Sequence, residues 1–185
     1  GEIIAMESGR PNDRTIIPQR TLLVLCGPAG SGKSTFARWL VQSHNFPATT
    51  IVASDHCRAM VCDDENSQLV NRDAFDLFHY IIHKRMLQNC LTIADSTALM
   101  PEARQRLLGL ARRHLYHTCL LILDVPLEQS IQQDSKRQRV VGREIIEFHA
   151  EQLRQALLSI PNEGWDEYHI LHEPRFVVEI NEETR

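Results

Sequence analysis

Residues Thr21 to Thr35 read TLLVLCGPAGSGKST: an unbroken apolar run, a glycine-rich turn, then a lysine and two hydroxyls. Six consecutive apolar or β-branched residues suit a strand buried on both faces of a parallel sheet. The eight residues that follow, Gly27, Pro28, Ala29, Gly30, Ser31, Gly32, Lys33 and Ser34, satisfy G-x-x-x-x-G-K-S. They sit where that motif must sit, directly after a buried strand and at the opening of a helix. Glycines let the backbone wrap phosphate oxygens with its N–H groups, and a helix N-terminus adds positive potential. Lys33 is expected to reach the β- and γ-phosphates of a nucleoside triphosphate such as ATP, and Ser34 to ligate Mg²⁺; Thr35 completes the loop. The loop alone does not separate kinases from other triphosphate-using proteins.

Working outward, the spacing of Phe36, Ala37, Leu40 and Val41 predicts a helix over Lys33 to Ser43. TTIVA (Thr49 to Ala53), LTIAD (Leu91 to Asp95), CLLILDV (Cys119 to Val125) and YHIL (Tyr168 to Leu171) read as strands, with FVVEI (Phe176 to Ile180) as a possible sixth. Helical periodicity falls between them: a short helix from Ser54 or Asp55, a long one from Leu69 to Gln88, and others near Pro101 to His114, Leu127 to Lys136 and Arg143 to Leu158. Alternating strands and helices predict an α/β fold, with a parallel sheet covered on both faces and ligands at the strands' carboxyl ends. The polar, turn-rich residues 1–19 read as a flexible extension or linker before a domain spanning 20–185. Because the chain opens with Gly1, a larger parent protein is expected.

With 20 Lys and Arg against 24 Asp and Glu, the net charge of −4 cannot hold a long phosphate backbone by bulk attraction. Any contact with nucleic acid has to be local, as in an enzyme that grips a chain end. Five cysteines without a C-x-x-C pair point to reduced thiols and a cytoplasmic setting. No apolar run reaches the length of a membrane span, so no membrane partner is expected.

Three places supply acceptor-side chemistry. Asp55 follows the second strand, with Arg58 one helical turn on. That carboxylate suits engagement of an acceptor hydroxyl and that guanidinium suits a bidentate grip on an acceptor phosphate. Asp55 is equally placed to cap a helix. Asp95, ending an apolar strand, is positioned to hold Mg²⁺ or its waters, with a cap or turn as the plainer alternative. Lys136, Arg137, Arg139 and Arg143 form a basic connector after a helix, where phosphoryl-transfer enzymes of this architecture carry a lid. One of these arginines is expected to act in catalysis.

The segments GPAGSGKSTFA, SDHCRAMVCDDEN followed by AFDLFHYIIHKRM, LTIADST and EGWDEYHIL together make the chain resemble the kinase module of bacterial polynucleotide kinase-phosphatases. The resemblance implies an adenylate-kinase-like P-loop fold with a basic lid. It implies transfer of the γ-phosphate of ATP or another triphosphate to the 5′-hydroxyl end of DNA or RNA, as one domain of a larger repair protein. It makes Asp55 the general base, Arg58 the contact to the acceptor's 3′ phosphate, and Arg139 the better match to a lid arginine, with Lys136 or Arg137 taking the other place. Ala98 departs from the family, which often carries asparagine there. A small-molecule or sugar-nucleotide kinase on the same fold, or a non-catalytic triphosphate-binding module, are the competing readings.

His79 and His83, one helical turn apart, lack the acidic neighbour and third ligand of a zinc helix. Trp39, Trp165, Phe75 and Phe78 are expected in the core.

Overall fold

A computed structural model describes residues 14–137 and 140–181, together with the backbone of residues 4–8. In chain order the strands are β1 (Ile4–Ser8), β2 (Arg14–Pro18), β3 (Thr21–Cys26), β4 (Ile51–Ala53), β5 (Thr92–Asp95), β6 (His117–Leu123), β7 (Glu167–Leu171) and β8 (Val177–Asn181). The helices are α1 (Lys33–Ser43), α2 (Ser54–Cys62), α3 (Asn71–Leu87), α4 (Pro101–Arg113), α5 (Leu127–Ser135) and α6 (Arg143–Ser159).

Six strands form one sheet in the order β1-β7-β6-β3-β5-β4, and every pairing is parallel. The middle strand, β3, is buried at every residue because both faces are covered. Alternate residues of β3 feed two separate cores. Leu22, Val24 and Cys26 join Phe78, Ile82, Leu107, Leu108, Leu153 and Trp165 from the α3, α4 and α6 side. Leu23 and Leu25 join Phe36, Ala37, Leu40 and Val41 of α1 on the other side.

Three sequence expectations are corrected. Residues 1–19 are expected from sequence to be a flexible extension or linker, yet β1 extends the main sheet beside β7, and β2 pairs in parallel with β8. The FVVEI segment therefore joins β2 in a two-stranded ribbon instead of the main sheet. Ile17, Phe176 and Val178 from this ribbon are buried in the α1-side core, so apolar burial is what draws both ends of the chain onto that face. Second, Ala48–Thr50 is a 3₁₀ turn after Pro47, and β4 begins only at Ile51. Third, Trp39 lies on the outer side of α1 and is 47% exposed, whereas Trp165 is wholly buried. Among the described residues no helix is long and apolar enough to cross a membrane.

Candidate active site

The loop between β3 and α1 is shaped by its neighbours as well as by its sequence. Gly30 has φ +77°, and a Cβ there would lie 2.2 Å from the Ser130 carbonyl oxygen, so the loop backbone rests directly on α5. Gly32 has φ +94°, and a Cβ there would meet only ordinary contacts with the Pro174 ring at 3.6 and 3.7 Å, so its requirement is the left-handed backbone that starts α1. Lys33 is buried and donates from Nζ to the carbonyl oxygens of Gly27 and Pro28, both at 2.8 Å. Ser34 Oγ donates to Asp95 Oδ2 at 2.8 Å. Asp95 thus turns its carboxylate toward the phosphate loop and is no helix cap.

Asp55 is no cap either: α2 starts at Ser54 without a side-chain cap, which leaves Asp55 in the first helical turn. Arg58 donates through Nη1 to Asp55 Oδ1 at 2.6 Å, and through Nε and Nη2 to Asn71 Oδ1 at 3.0 and 2.6 Å. Its guanidinium also lies over the Phe75 ring, 5.5 Å from the centroid. The Arg58 side chain is 9% exposed and that of Asp55 is 50% exposed.

The charges of these elements are felt at one place. Burial lowers the Lys33 pKa; the carboxylates of Asp95 and Asp55 oppose that shift and the Arg137 guanidinium adds to it. Burial raises the Asp95 pKa against the opposing pull of Lys33 and the Ser34 hydrogen bond, and Asp55 pushes it further up. Coulombic coupling fades with distance, so the charges of Asp55, Asp95 and Arg137 all lie within electrostatic reach of Lys33. Of the basic connector, Arg143 instead contacts Glu128 and Glu147 at the start of α6. Arg139 lies outside the described residues, and Lys136 caps the end of α5. Pro28, Ala29, Ser31 and Thr35 all lie in or beside the loop as the motif requires; Thr35 Oγ accepts from Arg38.

Several supporting residues escaped the sequence reading. Asn71 locks the Arg58 guanidinium, and only its position after the acidic block could have hinted at that. His149 of α6 accepts from the Ala29 backbone N–H at 3.1 Å. Burial and the Lys33 charge push its pKa down to about 4, which keeps the ring neutral and able to accept. Asp134, 2% exposed, accepts from the backbone N–H groups of Val141 and Gly142 at 3.0 and 2.9 Å and so ties the far end of the basic connector to α5.

The turn after Asp95 is braced from beneath. Arg104, fully buried, donates from Nη1 to the carbonyls of Ala98 and Leu99, and pairs through Nε and Nη2 with Glu163. Trp165 Nε1 donates to the same carboxylate at 3.0 Å. Ala98 has φ +48°, a conformation more readily taken by asparagine than by alanine. Glu163 and Trp165 of the EGWDEYHIL segment thereby act as structural supports. His79 Nδ1 bonds the Phe75 carbonyl and His83 pairs with His114, so these two imidazoles face different partners.

Ser34 and Asp95 offer the hard oxygen donors that Mg²⁺ takes alongside substrate phosphate and water. The fit is good: both oxygens lie 2.8 Å apart at the mouth of the loop.

Comparison with known proteins agrees with this geometry. One chain of a Pnkp1/Rnl/Hen1 RNA repair complex superposes with a TM-score of 0.66 at 22% identity, covering 82% of this chain and 49% of that one. This chain thus spans about half the length of that relative. A gluconokinase from Sinorhizobium meliloti 1021 gives a TM-score of 0.54 at 13% identity, covering 84% of each chain. The Mycobacterium tuberculosis APS kinase CysC, in complex with AMPPNP and APS, gives 0.50 at 18% identity, covering 64% of this chain and 70% of that one. At such identities the likeness is one of fold alone: the α/β fold of P-loop kinases. No curated protein matches the chain. A family model described as AAA domain matches residues 22–160, well over half of the chain, and with the P-loop, the parallel sheet and the kinase-like neighbours in agreement, the chain belongs to that family.

Proposed function

We propose that this chain is a polynucleotide 5′-hydroxyl kinase, transferring the γ-phosphate of ATP or another triphosphate to the 5′ end of DNA or RNA. The observation that carries the reading is the half-exposed Asp55 carboxylate, held 2.6 Å from a fixed arginine and electrostatically coupled to both Lys33 and Asp95. Asp55 would accept the proton of the attacking hydroxyl as its oxygen bonds to the terminal phosphorus and the bridge to the departing diphosphate breaks. Arg58 carries five N–H donors. Three hydrogen bonds to Asp55 and Asn71 occupy part of that set, and the remaining N–H groups suit an acceptor phosphate, which a polynucleotide has and a simple alcohol lacks. Lys33 would trade its loop carbonyls for phosphate oxygens, and Arg137, with Arg139 beside it in sequence, would supply the closing positive charge. Mg²⁺ held by Ser34 and Asp95 would neutralise charge on the bridging phosphates.

One further point favours the reading over a metabolite kinase. One fold neighbour is a chain of an RNA repair complex, and the span of about half of that chain fits a module of a larger repair protein. The five cysteines are all free thiols, three of them buried, in keeping with a cytoplasmic protein. The neighbours also include kinases of small molecules, so the deciding experiment offers both kinds of acceptor.

Labelled γ-phosphate and Mg²⁺ are supplied with 5′-hydroxyl DNA, 5′-hydroxyl RNA, and small acceptors such as gluconate and adenylyl sulfate. Transfer to an oligonucleotide end, lost on pre-phosphorylation of that end, is the expected result. Transfer confined to a small acceptor would replace this reading with a metabolite kinase, and triphosphate binding with no transfer would reduce it to a nucleotide-binding module.

A further inference from the structure

A second group of reactive side chains lies at the opposite end of the sheet from the phosphate loop. On β6, His117 and Cys119 are two residues apart; on β7, Glu167 and His169 are two apart; and Cys119 pairs with Glu167 in register. Side chains alternate across a strand, so all four emerge on one face, at the amino-terminal ends of the two strands. Cys119, Glu167 and His169 are buried, and their ligand atoms lie within 4.8 Å of one another. Cys119 Sγ is 3.5 Å from Glu167 Oε1, His169 Nε2 is 2.8 Å from the same oxygen, and His117 Nε2 is 2.7 Å from Glu167 Oε2. Thr15 of β2 donates its hydroxyl to Glu167 from the overlying ribbon.

Hydrogen bonding satisfies the carboxylate but not the whole cluster. His169 Nδ1 is buried with no hydrogen-bond partner, and the Cys119 thiol has only a weak contact to a carboxylate. A tetrahedral zinc ion with bonds of about 2.0–2.3 Å separates its ligands by roughly 3.3–3.7 Å; Cys119 Sγ and Glu167 Oε1 already stand 3.5 Å apart, and the 2.8 Å hydrogen bond between His169 Nε2 and Glu167 Oε1 would open to admit the ion.

We propose that Cys119, Glu167 and His169 bind a divalent transition-metal ion of the zinc type, with His117 orienting the Glu167 carboxylate from outside. One thiolate and one carboxylate balance the ion's two charges, and binding releases the thiol proton to solvent. The ion ties β6 and β7 together beneath the β2–β8 ribbon, so its role is structural. The site is independent of the kinase reading.

The test is titration of the chelator-stripped chain with Co²⁺. One equivalent should bind with thiolate-to-cobalt charge-transfer absorption and be displaced by Zn²⁺. Cys119→Ser should abolish that absorption, and His117→Gln should weaken binding by about 10–100-fold while keeping it. Asp95→Asn, which alters only the Mg²⁺ ligands, should leave the spectrum unchanged. If the wild-type chain binds less than one equivalent, or shows no charge-transfer absorption, the proposal fails whether or not the variants fold. A spectrum that survives in folded Cys119→Ser overturns it as well.

Discussion

Two arginine–carboxylate pairs in this molecule have similar geometry and opposite surroundings. Arg104 and Glu163 meet at 2.9 Å with side chains 0% and 6% exposed. Arg58 and Asp55 meet at 2.6 Å with a carboxylate that is 50% exposed. The first pair is closed on every side by Ala98, Leu99, Ser159 and Trp165, so its hydrogen bonds are spent on holding a turn. The second has an arginine fixed by Asn71 and Phe75 and a carboxylate that still meets solvent. The same two functional groups are a brace where water is excluded and a candidate reaction centre where one partner remains accessible.

Removing one member of the closed pair should have the largest effect on the protein. Glu163→Ala leaves the Arg104 guanidinium buried and uncompensated and should cost about 3–5 kcal/mol of stability in urea unfolding. The double substitution Arg104→Met with Glu163→Met should cost distinctly less. A small loss for Glu163→Ala alone would break the contrast drawn between the pairs.

At the open pair the loss should fall on activity instead. Asp55→Asn is expected to lower kcat by about 10²–10⁴-fold, while stability changes by no more than about 1 kcal/mol and triphosphate affinity holds. Unfolding of this variant in calorimetry would mean that the pair is structural after all. A smaller effect is expected from Asn71→Ala, which frees the Arg58 guanidinium: about 1.5–3 kcal/mol in kcat/KM for an oligonucleotide acceptor, with triphosphate affinity unchanged.

A pH-dependent effect concerns the bond between His149 and the phosphate loop. Its folded pKa, about 4, lies below the ordinary value of 6.5. Between those values the unfolded chain binds more protons than the folded one, so stability rises with pH across that window and falls on acidification. His149→Gln, whose amide oxygen can still accept from the Ala29 N–H, should flatten that part of the stability–pH curve. An unchanged slope would show that His149 does not titrate as its burial demands.

Much of the site could be read from residues alone because the phosphate loop is a local structure: Gly27 to Ser34 carry their own turn, their own helix start and their own lysine. Asp55 and Arg58 were legible for a similar reason, since three residues on a helix are always neighbours. Asn71, Asp134 and His149 were not, because each acts across a gap of 13, 8 and 120 residues or so, respectively, that only folding closes. The misreading of residues 1–19 has the same origin. A polar stretch with few apolar residues resembles a linker until Ile17 is seen filling a core beside Phe176 and Val178.

By itself the sequence determined the order of strands and helices from β3 to β7, the phosphate loop and the helical turn that joins Asp55 to Arg58, since all of these follow from periodicity and short-range sterics. Only the tertiary structure decided which carboxylate–arginine pair is closed and which is open, where the two chain ends dock, and that Cys119, Glu167 and His169 converge. Burial and strand register are properties of segments brought together from far apart, and no local pattern encodes them.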